Sequence, residues 1–342
     1  MSHSTAAVTS PLLKSTPDNI VWGHIPATVP PVLRIRSGDI VRIDTVSHGG
    51  LRGAEGPRAF FAAAGISAEE VLQDAVDIHR DKKPAESSGV HVLTGPIYIE
   101  GAKPGDMLEV RILDIEFRVP YGVNSTGPGY GVLPELVASR TQRVIKLDLK
   151  RKVALFKEGI EVPLAPFMGI LAVAPPLELA PVSTKPPGRW GGNMDLKQLQ
   201  AGATLYLPVI NEGALFYAGD GHAVQGDGEI DGTAIEISLR PTLQFILHAG
   251  SGREMKWPRA EDAQHYYLLA MHTNLDKALE GAVAETIAFL QAHANMSAAE
   301  AYAFASIAVD FRIAEAVNEV KAVYAVIAKK FFNTATQYWR AA

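Results

Sequence analysis

Hydrophobic and polar residues alternate along two stretches in the first third of the chain. Residues 32–50 read VLRIRSGDIVRIDTVSHGG, and residues 95–117 read GPIYIEGAKPGDMLEVRILDIEF. In each stretch, a turn that contains glycine and aspartate separates two alternating runs. Such alternation is typical of strands with one buried face. Each stretch is therefore predicted to form a β-hairpin.

Helical periodicity dominates the C-terminal section. Asn274 can cap a helix through LDKALEGAVAETIAFLQAHA. A capping box formed by Ser297 and Glu300 predicts a second helix that continues to residue 318. Because short strands are predicted from about residue 30 to residue 270, the fold class is α+β. We expect β-rich sheets of sandwich or barrel type, with α/β portions and a helical C-terminal section.

The pattern also suggests a division of the chain. Ser67 and Glu70 have capping-box spacing and predict one helix within the first strand-rich region. Residues 1–20 show no periodicity and are predicted to be a poorly ordered lead. We expect a β-rich part over 21–145 and a second one over 146–342, which carries the C-terminal helices. One intertwined unit is the alternative.

Composition acts mainly by excluding classes of protein. The chain has 342 residues, 47% of them hydrophobic, and a net charge of -5, so it is long enough for a large core and lacks a basic surface for nucleic acid. No apolar run approaches the roughly 20 residues of a membrane span, and the first residues do not resemble a signal peptide. We expect a cytoplasmic protein without membrane or nucleic-acid partners. Because cysteine is absent, any metal must be bound by His, Asp, Glu, Asn or water.

A loop rich in glycine and acidic residues follows the apolar run ALFYA. Residues 219–229 read GDGHAVQGDGE. In an extended segment Asp220 and His222 project to the same face, and a carboxylate with an imidazole suits a cation such as Zn²⁺. Glu229 can fold back as a third ligand or a general base, whereas Asp227 is interpreted as a turn residue. An ordinary hairpin turn explains the same letters, so the local pattern leaves a site and a turn both open.

Other candidates lie elsewhere in the chain. The segment GGNMD at 191–195 places Asn193 and Asp195 next to glycines, which allow a close approach of a ligand. Asp195 can equally cap a short turn. His48 at a strand end and His91 before another strand are further candidates, although a lone histidine in such a position is more often structural.

Together, these segments resemble the acetamidase/formamidase family. The matching segments occur in the family's order and are TGPIYIEGAKPGDMLEVRI (94–112), GGNMD (191–195), LYLPVINEGALFYAGDGHAVQGDGEIDGTAIE (205–236) and AYAFASIAVDFRIAEAVN (301–318). The resemblance implies hydrolysis of short aliphatic amides, a divalent metal in or near the site, and a homo-oligomer, dimeric or higher. It places the family's acidic and histidine residues at Asp195, Asp220, His222 and Glu229, with Asn193 and Gln225 beside them.

Hydrolysis of an unactivated amide needs an activated nucleophile, stabilisation of the oxyanion and a proton for the leaving nitrogen. Without cysteine and without a GxSxG motif, water activated by a metal is the economical hypothesis. The predicted metal ligands are Asp195, Asp220, His222 and His48. The predicted catalytic side chains are Glu229, Asn193 and Asp195, with Glu229 as the general base or, in a variant, as the nucleophile. Zinc is the expected metal, with Ca²⁺ as a candidate for a second site.

Departures from the family pattern indicate that the substrate differs from acetamide or formamide. Where many members have Asn-Pro before the TGP segment, this chain has His91 and Val92. Aromatic residues in the variable loops suggest a bulkier or cyclic amide, such as a small lactam. The predicted substrate-binding residues are Phe60, Tyr121, Tyr130, Gln225 and His91. The alternative function is a metal-stabilised protein that binds a small ligand without turnover.

Overall fold

The computed structural model describes residues 10–84 and 88–332. The strands are β1 (Leu12–Leu13), β2 (Ile20–Trp22), β3 (His24–Ile25), β4 (Leu33–Ile35), β5 (Ile40–Ile43), β6 (Val92–Ile99), β7 (Met107–Phe117), β8 (Tyr121–Thr126), β9 (Thr141–Asp148), β10 (Val153–Lys157), β11 (Ile160–Pro163), β12 (Phe167–Ala172), β13 (Val182–Ser183), β14 (Gly191–Asn193), β15 (Thr204–Pro208), β16 (Phe216–His222), β17 (Leu239–His248), β18 (Arg259–Glu261), β19 (His265–His272), β20 (Asp310–Glu315) and β21 (Lys321–Ala328). The helices are α1 (Gly56–Ala62), α2 (Gln73–Asp81), α3 (Leu275–Ala294) and α4 (Ala298–Ala308), with 3-10 turns at Pro17–Asn19 and Lys329–Phe331. This content confirms the predicted β-rich α+β fold.

Most of the strands belong to two large sheets. One has nine strands in the order β1-β5-β17-β7-β15-β18-β19-β21-β20. The other has six, in the order β14-β12-β16-β6-β2 with β4 also paired to β6. A four-stranded sheet (β11-β10-β9-β8) and the pair β13-β3 complete the set. The main core lies between the two large sheets, where Phe216 of β16 contacts Phe245 of β17 with ring centroids 4.9 Å apart.

The sheets combine strands from both predicted parts of the chain. β7, before residue 145, pairs with β15 and β17, which follow it. Strand pairing therefore crosses the predicted boundary between residues 145 and 146. Residues 10–20 of the predicted lead include β1, which pairs with β5, while residues 1–9 lie outside the described residues.

The first predicted helix begins later than its capping box suggests. The Glu70 carboxylate accepts the backbone N–H of Ser67 at 2.9 Å, but the two residues close a separate turn. The backbone then extends at Leu72, with ψ 129°, and the helix α2 begins only at Gln73. The short helix α1 was not predicted, although Pro57 in its first turn is a helix-start signal.

The capping signals of the C-terminal helices are confirmed. Asn274 accepts the backbone N–H of Lys277 at 3.0 Å at the start of α3, and Ser297 forms its capping box at the start of α4. The prediction that the second helix continues to residue 318 is wrong, because α4 ends at Ala308 and β20 follows. β20 pairs with β21 at the edge of the nine-stranded sheet, so pairing overrides local helical preference. None of the described helices is long and apolar enough to cross a membrane.

Candidate active site

Neighbouring strands of the six-stranded sheet bring the candidate residues to one edge. β14, which ends at Asn193, and β16, which ends at His222, both pair with β12. β6 is the other neighbour of β16, and His91 directly precedes it. Residues that are distant in sequence therefore meet at the same edge of the sheet.

Asp220 lies among three histidines. Its Oδ1 lies 3.9 Å from Nδ1 of His48 and 3.7 Å from Nε2 of His91. Its Oδ2 lies 3.4 Å from Nε2 of His222, so the two residues meet as their spacing along the strand predicts. Asp220 and His222 are almost fully buried, with side chains 3% and 1% exposed.

Three groups of side chains could each hold a metal ion, since the potential ligand atoms within each group lie within 4.8 Å of one another. The groups are His48, His91 and Asp220; Asp195, His222 and Glu229; and Asp220, His222 and Glu236. Glu236 is absent from the sequence-based candidates because it falls in a stretch predicted as a plain strand. The available signal was an acidic residue between two apolar neighbours, Ile235 and Ile237.

Many polar atoms of this cluster are buried without a hydrogen-bond partner. They are Nδ1 of His48, Oδ1 of Asn193, both carboxylate oxygens of Asp195, Oδ1 of Asp220, both ring nitrogens of His222 and Oε2 of Glu236. Because neither oxygen of Asp195 has a partner, its side chain does not cap the turn that follows. Among the described residues, no lysine or arginine forms an ion pair with any of the four carboxylates of the cluster, which are Asp195, Asp220, Glu229 and Glu236. Such unpaired donors and charges are costly in a protein interior, and this donor set fits a divalent cation.

Two of the histidines next to Asp220, His48 and His91, favour the neutral form that binds metal. Burial, together with the nearby His91, lowers the pKa of His48 to about 3. Burial likewise lowers the pKa of His91. Burial opposes ionisation of Asp220, but His91 and His222 outweigh it and hold the pKa of this carboxyl well below its usual value. A neutral imidazole and an ionised carboxylate are the states that coordinate a cation.

The other carboxyl groups of the cluster repel one another. Burial and the charge of Glu229 raise the pKa of Asp195, and burial raises that of Glu229. Burial also raises the pKa of Glu236 to about 7. Burial opposes protonation of His222, but Glu236 and Asp220 outweigh it and raise its pKa well above the usual value. A bound cation would relieve this concentration of buried negative charge.

A glycine provides the space between the carboxylates. A Cβ atom at Gly169 of β12 would lie 2.6 Å from Oδ1 of Asp195 and 2.6 Å from Oδ2 of Asp220. It would also lie 2.9 Å from Cε1 of His222. Only a residue without a side chain leaves this space open.

Backbone strain is concentrated at the site. Asp195, Asp220 and Glu229 have φ angles of 47°, 58° and 46°, in the left-handed region that residues other than glycine rarely adopt. Strained backbone of this kind persists where surrounding contacts impose it, and it is common at functional sites. One such contact is Nε2 of Gln225, which donates to the carbonyl oxygen of Asp195 at 2.9 Å. Gln225 therefore stabilises the backbone conformation of Asp195.

A cleft of about 450 Å³ reaches the cluster from the surface. The residues of the cluster that line it are His48, His91, Asn193, Asp220, Glu229 and Glu236. Two of the aromatic residues predicted to bind substrate, Phe60 and Tyr130, also line it. Tyr130 is 56% exposed and lies on the outer part of the wall.

Some predicted residues lie outside this cleft. Tyr121 is buried in the core, where its ring packs against Phe61 and its hydroxyl donates to the carbonyl oxygen of Glu70 at 3.0 Å. This packing corrects the expectation that Tyr121 contacts substrate. Asp227, interpreted as a turn residue, forms an ion pair with Lys197 at 2.9 Å and accepts a hydrogen bond from the hydroxyl of Tyr324 at 2.8 Å. It takes no part in the cluster.

Comparisons with known proteins agree with the motifs. Residues 67–183 and 180–334 match the model of the Acetamidase/Formamidase family. The chain is 26% identical to the acetamidase of Mycolicibacterium smegmatis over 214 residues, which are 45% of this chain and 52% of that protein, so the match spans about half of the relative's length. It is 30% identical to the solved acetamidase of Bacillus halodurans, with a TM-score of 0.76 over 94% of this chain and 98% of the other. A γ-lactamase from Delftia acidovorans, 19% identical with a TM-score of 0.58 over 97% of this chain and 96% of the other, shares the fold alone.

Proposed function

Because the chain belongs to the acetamidase/formamidase family, we propose that it hydrolyses the C–N bond of small amides. Water adds to the amide carbonyl carbon, the C–N bond breaks, and the products are a carboxylate and ammonium. The observation that carries this proposal is the group of buried, unpartnered histidine and carboxylate atoms at the inner end of the cleft. Groups of this kind suit activation of water at an amide carbonyl.

We assign a divalent cation to this cluster. The residues that would hold it are Asp220 with His48 and His91, and Asp195 and His222 beside them. Each of the three groups found among the described residues includes a histidine, which favours zinc over the Ca²⁺ expected for a second site. When bound, such a cation supplies Lewis-acid chemistry to the amide carbonyl and to water.

The remaining side chains of the cleft have roles that follow from their position. Asn193 is buried and lines the cleft, so its side-chain amide can hold the carbonyl oxygen or the nitrogen of the substrate. Glu229 and Glu236 also line the cleft, and each can take a proton from water and return it to the leaving nitrogen. We retain Glu229 as the general base, with Glu236 as the carboxylate that holds His222, from which it is 3.3 Å away.

Exchange of Glu229 for glutamine tests this assignment. We expect Glu229→Gln to lower kcat by at least about 100-fold, because the glutamine amide cannot accept a proton from water and release it again. The metal content should be unchanged, because glutamine has the same size and the general base is not a metal ligand. Ammonium release and elemental analysis of the purified variant measure the two properties. Glu212→Gln, at an exposed carboxylate that accepts a hydrogen bond from Tyr98, is the control and should change neither. Loss of metal from Glu229→Gln, with activity recovered in excess Zn²⁺, would instead make Glu229 a ligand.

The proposed function predicts metal-dependent turnover of amides. Formamide, acetamide and butyramide should release ammonium, and a small lactam should yield its amino acid. A strong chelator should abolish turnover, and added Zn²⁺ should restore it. If the metal-replete protein hydrolyses no amide in this panel, the alternative of a non-catalytic, metal-stabilised binding protein replaces our proposal.

A further inference from the structure

Three basic side chains line the cleft, and the hydrolysis outlined above does not use them. They are Arg52, Arg140 and Lys185, all exposed. In the part of the chain that the structure describes, none of the three forms an ion pair with a carboxylate. Glu319, also exposed, is the one acidic residue among those described that lines the cleft outside the metal cluster. The outer cleft therefore has an excess of positive charge.

Two of these basic residues lie close along the chain to the histidines of the cluster or to a residue that contacts them. Arg52 lies in the loop that follows His48. Lys185 directly follows Thr184, whose hydroxyl lies 2.9 Å from Nδ1 of His91. Both cations therefore line the same cleft as the two histidines.

The size of the cleft points to a substrate larger than formamide or acetamide. A volume of about 450 Å³ is in the range of pockets that enclose ligands of many atoms, and a simple amide would fill a small part of it. Basic groups along a cleft concentrate anions, because the surrounding protein focuses their field. Arginine in particular pairs with carboxylates through two parallel hydrogen bonds.

We propose that the preferred substrate is an amide with a carboxylate at its other end, such as the monoamide of a short dicarboxylic acid. Its carboxylate binds among Arg52, Arg140 and Lys185, while its amide group lies at the metal cluster. This inference rests on the proposed amide hydrolysis. Water adds to the amide carbonyl, the C–N bond breaks, ammonium leaves, and the other product is the dicarboxylate.

Succinamate and butyramide separate the contribution of the carboxylate, because they share the amide group and the chain length. We expect kcat/KM for succinamate to exceed that for butyramide by about tenfold or more at low ionic strength, and the ratio to fall as salt is added. Arg52→Ala and Lys185→Ala should each lower the ratio by about threefold, chiefly through KM for succinamate. Arg52→Lys should keep more of the ratio than Arg52→Ala.

The control is Arg36→Ala, which removes a positive charge outside the cleft, at a side chain that is 83% exposed. Its ratio should equal that of the wild type. Equal kcat/KM for the two substrates in the wild type, or equal losses for both in Arg52→Ala and Lys185→Ala, would overturn the inference and leave amide hydrolysis intact. Absence of turnover with every amide would overturn the proposed function and the inference with it.

Discussion

Replacing Gly169 by alanine is expected to abolish amide hydrolysis without unfolding the protein. The new methyl group would lie 2.6 Å from one carboxylate oxygen of Asp195 and 2.6 Å from one of Asp220, closer than a carbon atom approaches oxygen. The two carboxylates must then move apart from the position in which they would bind the cation. A misplacement of reacting or binding groups by about 1 Å costs about 100-fold in turnover, and we expect at least that loss together with a lower metal content.

The fold should tolerate this change. The φ angle of Gly169 is not in the left-handed region, so alanine can adopt the same backbone conformation. Crowding of one methyl group costs about 1–3 kcal/mol, which lowers the midpoint of thermal unfolding but leaves the protein folded. The matched control is Gly226→Ala, because Gly226 is exposed, has an ordinary φ angle and has no neighbouring atom within 4 Å of the new carbon. A Gly169→Ala protein with normal metal content and turnover would contradict the assignment of Asp195 and Asp220 to the cation site.

The parts of the site that can be predicted from the sequence are those that depend only on residues close together along the chain. Asp220 and His222 meet because residues two apart on a strand share a face, which the spacing alone indicates. The contact of His222 with Glu236 depends on an isolated β-bridge beyond the loop that follows β16, which the residue spacing does not indicate. The role of Gly169 also cannot be predicted from the sequence, because it depends on the side chains of Asp195 and Asp220, which lie next to Gly169 only in the folded protein.

The same distinction separates the correct and incorrect predictions of secondary structure. The sequence correctly predicts Asn274 and Ser297 as helix caps, because capping involves residues within one turn. The predicted end of the last helix, residue 318, lies ten residues past the observed end at Ala308. The segment after Ala308 is a strand because β21, later in the chain, pairs with it. Whether this segment forms a helix or a strand therefore depends on its pairing with β21 and not on its local sequence.

Replacing Asp220 by asparagine is expected to remove the bound metal and, with it, amide hydrolysis. Asp220 belongs to two of the three potential ligand groups and lies within 4 Å of His48, His91 and His222. Asparagine keeps the volume but not the negative charge, so the affinity for a divalent cation falls. Loss of a group that only orients a ligand already costs 10–100-fold in affinity or activity, and we expect turnover to fall by more than about 100-fold for a ligand itself.

Folding of Asp220→Asn should be preserved, which makes the loss of metal interpretable. Asn is among the residues that most readily tolerate a left-handed backbone, so the φ angle of 58° is retained. Asp227→Asn is the matched control in the same loop, since it breaks only a partly exposed pair with Lys197, worth up to about 1 kcal/mol. Elemental analysis, ammonium release and thermal unfolding of both variants give the comparison. An Asp220→Asn protein that keeps its metal and turns over amides within about tenfold of the wild type would contradict a central role for Asp220, because an uncharged side chain would then serve equally well among three histidines.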